Sequence, residues 1–340
     1  MNLGQIRTRK ETAVNTVQIL LSTYNGERYL RAQLDSFLTL AGAEDVKLLI
    51  RDDGSTDGTR AILEEYRDAH GFEVIFGENV GLDESFRILF AHTDRSCSYF
   101  AYADQDDVWL PEKVARAVAA LDGAPADEPV LYCARSHLTD EEGKIIGVTR
   151  KPTREPCFEN AMVQNVCIGH TQVYNRKMLA LLETLYTPDM FVMDHYAYLC
   201  AAAFGTILFD TEPVTLYRQH GRNAIGYGNT PFSVLKNRIR RTLAGVPNGH
   251  GKQLFAFREA TRRADAPPLK ERYAREIDSF LAGAERGVLS RLKFLSRTRA
   301  HRQGFFENLG FRVLYLFGAY NPKKKKKQKI NSPKRKEETK

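Results

Sequence analysis

The chain has 340 residues, 43% of them hydrophobic and 10% aromatic, enough to bury one large core with an appendage and unlike a disordered or fibrous protein. Its net charge of +8 resides in the last twenty residues, where ten Lys or Arg face only Glu337 and Glu338, so the remainder is neutral and no specific nucleic-acid partner is expected. Five scattered cysteines without a Cys-x-x-Cys pair exclude a disulfide framework or a zinc site, and neither a signal peptide nor a run of roughly 18 apolar residues is present, so a cytoplasmic location is expected.

Residues 1–14 read as an N-terminal extension. Val17 to Ser22 is a short apolar strand, followed by a helical pattern with Leu30, Leu34, Phe37 and Leu38 on one face. Val46 to Ile50 repeats the strand signal and ends at Asp52-Asp53-Gly54-Ser55-Thr56-Asp57-Gly58, before a helix from Thr59 to Tyr66. Phe72 to Phe76 is a third strand, the segment after Asn79-Val80-Gly81 a third helix, and Tyr99 to Ala103 a fourth strand. This alternation implies a parallel sheet with right-handed crossovers, whose ligands gather at the carboxyl ends of the strands. Beyond Asp122, strands are expected at Val130 to Ala134 and Cys167 to Tyr174, and helices at Arg176 to Leu185 and Asp194 to Ala203. The strand pair Thr206 to Phe209 and Pro213 to Arg218 follows. From about Pro231 the pattern is helical, and the expected organisation is an α/β domain at 15–230, a helical region at 231–320 and a polybasic tail at 321–340.

Asp104-Gln105-Asp106-Asp107-Val108-Trp109 places three carboxylates within four positions directly after the fourth strand. Asp-x-Asp spacing lets two carboxylates face one divalent ion, because alternate residues of an extended chain point the same way. Hard oxygen ligands suit Mg²⁺ or Mn²⁺, which also retain phosphate oxygens. The competing reading is an acidic turn before a helix opened by Pro111 and Glu112.

Taken in order and spacing, Ser22-Thr23-Tyr24-Asn25-Gly26, Asp52-Asp53-Gly54-Ser55-Thr56-Asp57, Asn79-Val80-Gly81 and the Asp104 to Trp109 run resemble the family 2 glycosyltransferases with the GT-A fold. Gln164-Asn165, Gly169, Met193-Asp194-His195-Tyr196 and Tyr217-Arg218-Gln219-His220-Gly221-Arg222-Asn223 resemble the bacterial rhamnosyltransferase-type subgroup that builds surface polysaccharides. The resemblance covers roughly residues 15 to 230. It implies an α/β GT-A fold, a doubly wound, mostly parallel Rossmann-like sheet, with an appended C-terminal helical region. It further implies an inverting, metal-dependent transfer of a sugar, such as L-rhamnose from a dTDP or UDP donor, to a glycan or lipid-linked acceptor.

The resemblance assigns the nucleotide to Ser22, Thr23, Tyr24, Asn25, Asp52, Asp53, Asn79 and Asp104. Tyr24 can stack on a pyrimidine and Asp52 can accept from the base N3–H. The metal falls to Asp106, with Asp104 and His220 as further contacts, Asp107 supporting the turn, and Arg218 and Arg222 as diphosphate partners. Inversion needs a general base opposite the leaving group. Asp194 is that candidate, but many relatives read His-Asp-Trp where this chain reads Asp194-His195-Tyr196, so His195 remains an alternative base with Asp194 orienting it. Phe311 to Tyr320 followed by Lys323 to Lys327 could hold the protein on an anionic inner leaflet. The alternatives are a sugar nucleotidyltransferase, which lacks its Gly-rich basic loop here, and a non-enzymatic nucleic-acid or membrane binder acting through the lysine tail.

Overall fold

The computed structural model describes residues 16–41, 46–190, 192–220 and 249–322. Strands β1 (Val17–Thr23), β2 (Val46–Asp52), β3 (Glu73–Phe76) and β4 (Tyr99–Ala103) run parallel in the order β3-β2-β1-β4. Every residue of β1 is buried because helices cover both faces of the sheet: Val17, Ile19 and Leu21 join one apolar cluster and Leu20 the other. Helices α1 (Leu30–Leu38), α2 (Thr59–His70) and α4 (Lys113–Asp122) pack on the first face. Helices α3 (Leu82–Ala91), α6 (Arg176–Thr184) and α7 (Met193–Phe204) pack on the second.

Beyond β4 the sheet continues through β8 (Val173–Asn175), β6 (Val130–Thr139), β9 (Thr206–Arg218) and β5 (Val108–Trp109), and β7 (Ile145–Val148) pairs with β6. Strands β6 and β9 point with the first four, whereas β5, β7 and β8 run against them. The sheet is thus mostly parallel, as expected, with antiparallel strands confined to its second half.

Two expected elements differ. Cys167 to Tyr174 is not one strand: a single 3₁₀ turn, Gly169–Thr171, precedes β8, because the chain must fold across the sheet edge before it can run antiparallel. Conversely, Thr206 to Phe209 and Pro213 to Arg218 are one strand. Its parallel ladder with β6 steps from Ala134↔Asp210 to Arg135↔Pro213, so residues 211 and 212 bulge out and the pairing resumes.

Helices α8 (Gly249–Ala260), α9 (Glu271–Glu285), α10 (Val288–Arg297) and α11 (Phe305–Leu316) share a core with α5 (Phe158–Ala161) and α7. Phe158 stacks on Tyr273 with ring centroids 4.0 Å apart, and Tyr196 meets Phe257 edge-on at 5.9 Å. One apolar cluster therefore runs from Leu20 to Tyr320. The segment Phe311 to Tyr320, read from sequence as facing a membrane, turns Phe311, Leu314, Tyr315 and Tyr320 into this cluster. Arg222, the N-terminal extension and the lysine tail lie outside the described residues.

Candidate active site

Parallel pairing brings the carboxyl ends of β1, β2 and β4 to one edge, with Thr23 opposite Asp52 and Leu21 opposite Ala103. The ends of β6 and β9 reach the same edge, Thr139 pairing with Arg218. The polar motifs are thus neighbours in space although they are far apart in sequence.

On the β1–β2 side the aspartates are saturated by protein donors. Buried Asp52 accepts from Arg60 Nε at 2.8 Å and from the Ser55 backbone N–H at 3.1 Å. Asp53 accepts from Arg51 Nη1 at 2.5 Å and from the backbone N–H groups of Val80 and Gly81, both at 2.9 Å, which ties the Asn79-Val80-Gly81 loop to β2. Gly54 sits between them at φ +78°, and a Cβ there would lie 2.6 Å from the Asn79 nitrogen, so only glycine fits. Ser22 Oγ is bonded to Ser85 Oγ at 2.6 Å, and Thr23 is buried. Asn25, at φ +48°, accepts from Thr56 N–H at 2.8 Å. Tyr24 is 46% exposed, and Asn79 is also exposed. The Gln105 amide holds the Tyr24 backbone at two points, accepting from its N–H at 2.8 Å and donating to its carbonyl at 3.1 Å.

The β4 side is short of donors. Asp106 meets His220 Nε2 at 2.8 Å. Burial, reinforced by Asp104, raises the Asp106 carboxyl above its ordinary value against the pull of His220. Asp107 is fully buried; one oxygen accepts from the Arg218 N–H at 3.2 Å, while Oδ2 has no hydrogen-bond partner and lies 3.4 Å from His170 Nδ1. Burial pushes its pKa up to about 7, opposed by His170 and supported by Asp104 and Asp106. His170 also lies 3.7 Å from Asp104 Oδ2, and its Nε2 pairs with Ser136 Oγ at 2.8 Å. Ligand atoms of Asp104, Asp107 and His170 all fall within 4.8 Å of one another. Below them Lys113 is buried, its Nζ donating to the His170 carbonyl at 2.5 Å and lying 3.0 Å from the Trp109 ring centroid. Burial lowers its pKa against the pull of Asp107 and Asp104.

Arg218 is bound by the protein itself. Its Nε donates to the Asp106 carbonyl at 3.2 Å and its Nη1 to the Glu141 carbonyl at 2.6 Å, and it covers the Tyr29 ring, which stacks on His220.

The first turn of α7 carries Asp194, whose carboxylate accepts from Gly169 N–H at 3.0 Å and His195 N–H at 2.6 Å, with Asn165 also bonding to it. A Cβ on Gly169 would sit 3.1 Å from the Asp194 Cβ, so a glycine permits this approach. Burial raises the Asp194 pKa to about 6 despite those donors. The adjacent His195 turns away into the core, its Nε2 2.6 Å from the Ala161 carbonyl, and burial lowers its pKa to about 4.

The family model for glycosyl transferase family 2 matches residues 18–182, which include the ends of β1, β2 and β4 but neither Asp194 nor the Arg218 end of β9. Over that stretch, just under half of its length, the chain is similar to glycosyltransferase family 2. An uncharacterized glycosyltransferase of Nostoc sp. is 26% identical over 222 residues, covering 61% of this chain and 66% of that protein. The dTDP-rhamnosyl transferase RfbG of Shigella flexneri is 25% identical over 233 residues, covering 64% and 78% respectively. The chain thus spans just under two thirds of the Nostoc relative. The structure of S. aureus TarS residues 1–349 in complex with UDP superposes with a TM-score of 0.51 at 18% identity, covering 83% of this chain and 71% of that one. The shared fold is GT-A.

Four participants in this site were not singled out from sequence: Arg51, Arg60, Lys113 and His170. His170 lies more than sixty residues from the carboxylates it faces, whereas Arg51 and Arg60 are near theirs in sequence but carry no pattern that marks them as ion-pair partners. A lysine and a histidine on apolar surroundings read as ordinary core or surface residues until the fold sets them under three aspartates.

Proposed function

We propose that this chain is an inverting, metal-dependent transferase. It moves a sugar from a dTDP or UDP donor onto a hydroxyl of a glycan or lipid-linked precursor at the inner face of the membrane. The observation that carries this reading is the meeting, on one sheet edge, of nucleotide-type loops, a carboxylate run short of donors, and the Asp194 carboxylate. L-rhamnose is the proposed sugar, supported by the likeness to a dTDP-rhamnosyl transferase.

The residues fit a divalent cation: Asp104, Asp107 and His170 bring ligand atoms within 4.8 Å of one another, Asp107 Oδ2 lacks a hydrogen-bond partner, and Asp106, on the same loop as the other two aspartates, pairs with His220. An ion that must also touch a diphosphate has to be reached from solvent. Asp104 and Asp106 retain exposure whereas Asp107 and His170 are sealed, so Asp104 and Asp106 with His220 would hold it. When bound, such an ion supplies charge neutralisation for the departing diphosphate. Asp107, His170 and Lys113 form the buried support beneath.

Asp194 takes the proton of the acceptor hydroxyl. The acceptor oxygen bonds to the anomeric carbon as the bond from that carbon to the diphosphate oxygen breaks, and the configuration inverts. A carboxyl with a pKa of about 6 is matched to this task near neutral pH. His195 lacks access, with its Nε2 spent on Ala161. Asp52 and Tyr24 bind the nucleoside, while Ser22, Thr23, Asn25 and Asp53 shape the loops around it, and Arg218 braces the Asp106 loop.

A panel of dTDP, UDP and GDP sugars with Mn²⁺ tests the reading: the true donor raises Tm by binding only the folded state and releases nucleoside diphosphate when an acceptor is supplied. The proposal fails if no nucleotide sugar does either.

A further inference from the structure

Helix α11 is apolar on two sides. Its inward stripe, Phe311, Leu314 and Tyr315, fills the core, but Phe305, Phe306 and Leu309 point outward, and Phe317 follows just beyond its end. Phe305 is 79% exposed, Phe306 70% and Phe317 63%. The neighbouring α10 adds Leu289, 83% exposed, and Leu292. The two helices are linked by Arg291 Nη1 to the Leu316 carbonyl at 3.1 Å and Arg312 Nη1 to the Leu295 carbonyl at 2.9 Å, which sets the end of α11 beside the first turns of α10. Exposed aromatics in this number are rare on a face bathed only by water.

The charge around this face is mainly basic. From Arg286 to Phe306 the sequence holds six Lys or Arg and no acidic residue. Glu307, the lone acid of α11, is engaged by Arg150 at 3.4 Å and Gln164 at 3.0 Å. Six residues beyond Phe317 the chain enters Lys323 to Lys327. Among the described residues no helix is long and apolar enough to cross a membrane.

We infer that the outward face of α10 and α11 docks on an anionic phospholipid bilayer, with Phe305, Phe306, Leu309 and Phe317 entering the interface and the surrounding arginines and lysines meeting the headgroups. Aromatic and aliphatic tips among basic side chains, with the acid of α11 already paired within the protein, are the composition that such an interface retains, and two weak signals together give stable yet reversible binding. The inference rests on the transferase reading for its purpose, which is to bring the site to a lipid-linked acceptor, and on the exposed side chains for its geometry. It also replaces the face expected from sequence, since Phe311 and Tyr320 are occupied within the protein.

The test is sedimentation of the full chain with vesicles of phosphatidylcholine mixed with phosphatidylglycerol, and with phosphatidylcholine alone. The chain is expected to bind the mixed vesicles and to release in high salt. A Phe305→Ser, Phe306→Ser, Leu309→Ser variant is expected to lose at least about tenfold in partitioning, with Tm and vesicle-free nucleoside diphosphate release unchanged. Equal binding by the variant, absence of wild-type binding to mixed vesicles, or dependence on Lys323 to Lys327 alone would each overturn the inference. So would a wild-type dimer that the variant dissociates without any change in vesicle binding. If no donor is turned over but the variant still loses the vesicles, the transferase reading fails and the docking face stands.

Discussion

Asp52 and Asp53 at the end of β2, and Asp106, Asp107 and Asp194 across the cleft, are all strand-end or helix-start carboxylates, yet the protein treats them oppositely. The first pair is saturated by arginines and backbone N–H groups. In the second set Asp106 and Asp107 have few donors while Asp194 keeps three, yet burial raises all three pKa values. A saturated carboxylate is a fixed part of the scaffold, whereas a buried one lacking donors holds charge in reserve for a ligand. On the proposed function, the difference would separate groups that build the nucleotide loops from Asp106, its buried support Asp107, and Asp194, which would serve the cation and the acceptor.

The comparison breaks most visibly at the cation. Asp106→Asn, or excess EDTA on the intact chain, is expected to lower kcat by at least about a thousandfold, because departing negative charge is then unopposed; undiminished nucleoside diphosphate release in either case contradicts it. Next comes Asp194→Asn, with a loss of roughly 10²- to 10⁴-fold in kcat and unchanged donor affinity by calorimetry. Wild-type kcat should fall on the acid side with an apparent pKa of about 6, as the carboxylate becomes protonated. Folding raises this pKa from 3.8, so the folded state holds the proton more tightly than the unfolded one, and stability drops as pH climbs from about 4 through about 6. The Asn variant escapes that penalty and should be at least as stable as wild type at pH 8. A variant that is inactive because it is unfolded would undo the assignment.

On the saturated side the expected currency is stability. Asp53→Ala strands the buried Arg51 charge and frees the Asn79 loop, for a cost of about 3–5 kcal/mol in denaturant unfolding. A stable variant that merely binds donor more weakly would move Asp53 to the ligand-facing group. The smallest effect belongs to His195→Gln: kcat within a few-fold of wild type and a stability loss of roughly 1–2 kcal/mol from the Ala161 contact. A collapse of kcat with normal stability would return the base role to His195.

The first half of the fold was legible because its chemistry is local. Strands β1, β2 and β4 are short apolar runs, and each ends in its own polar motif, so periodicity and spacing place them. The second half was less so. Whether residues 167–175 form a strand, or 206–218 one strand or two, depends on pairing partners β6 and β4 that no local pattern reveals. The site divides in the same way. Asp104, Asp106 and Asp194 stand out by residue type and position, but His170 and Lys113 acquire meaning only from the aspartates above them. The direction in which α11 turns its aromatics was also hidden, because a helix apolar on two sides has no single face to read.

Gln105 lies between the two cleft-facing aspartates of the β4 loop, and its amide grips the backbone of Tyr24 at both N–H and carbonyl. The loop that would hold the cation and the loop that presents the aromatic ring to the nucleoside are thereby fastened together, so neither shifts alone. Ordering one lowers the cost of ordering the other, and by reciprocity each ligand should tighten the binding of its companion by the same factor. On the proposed function, donor and cation are then expected to enter as a cooperative pair, joined through a single uncharged side chain.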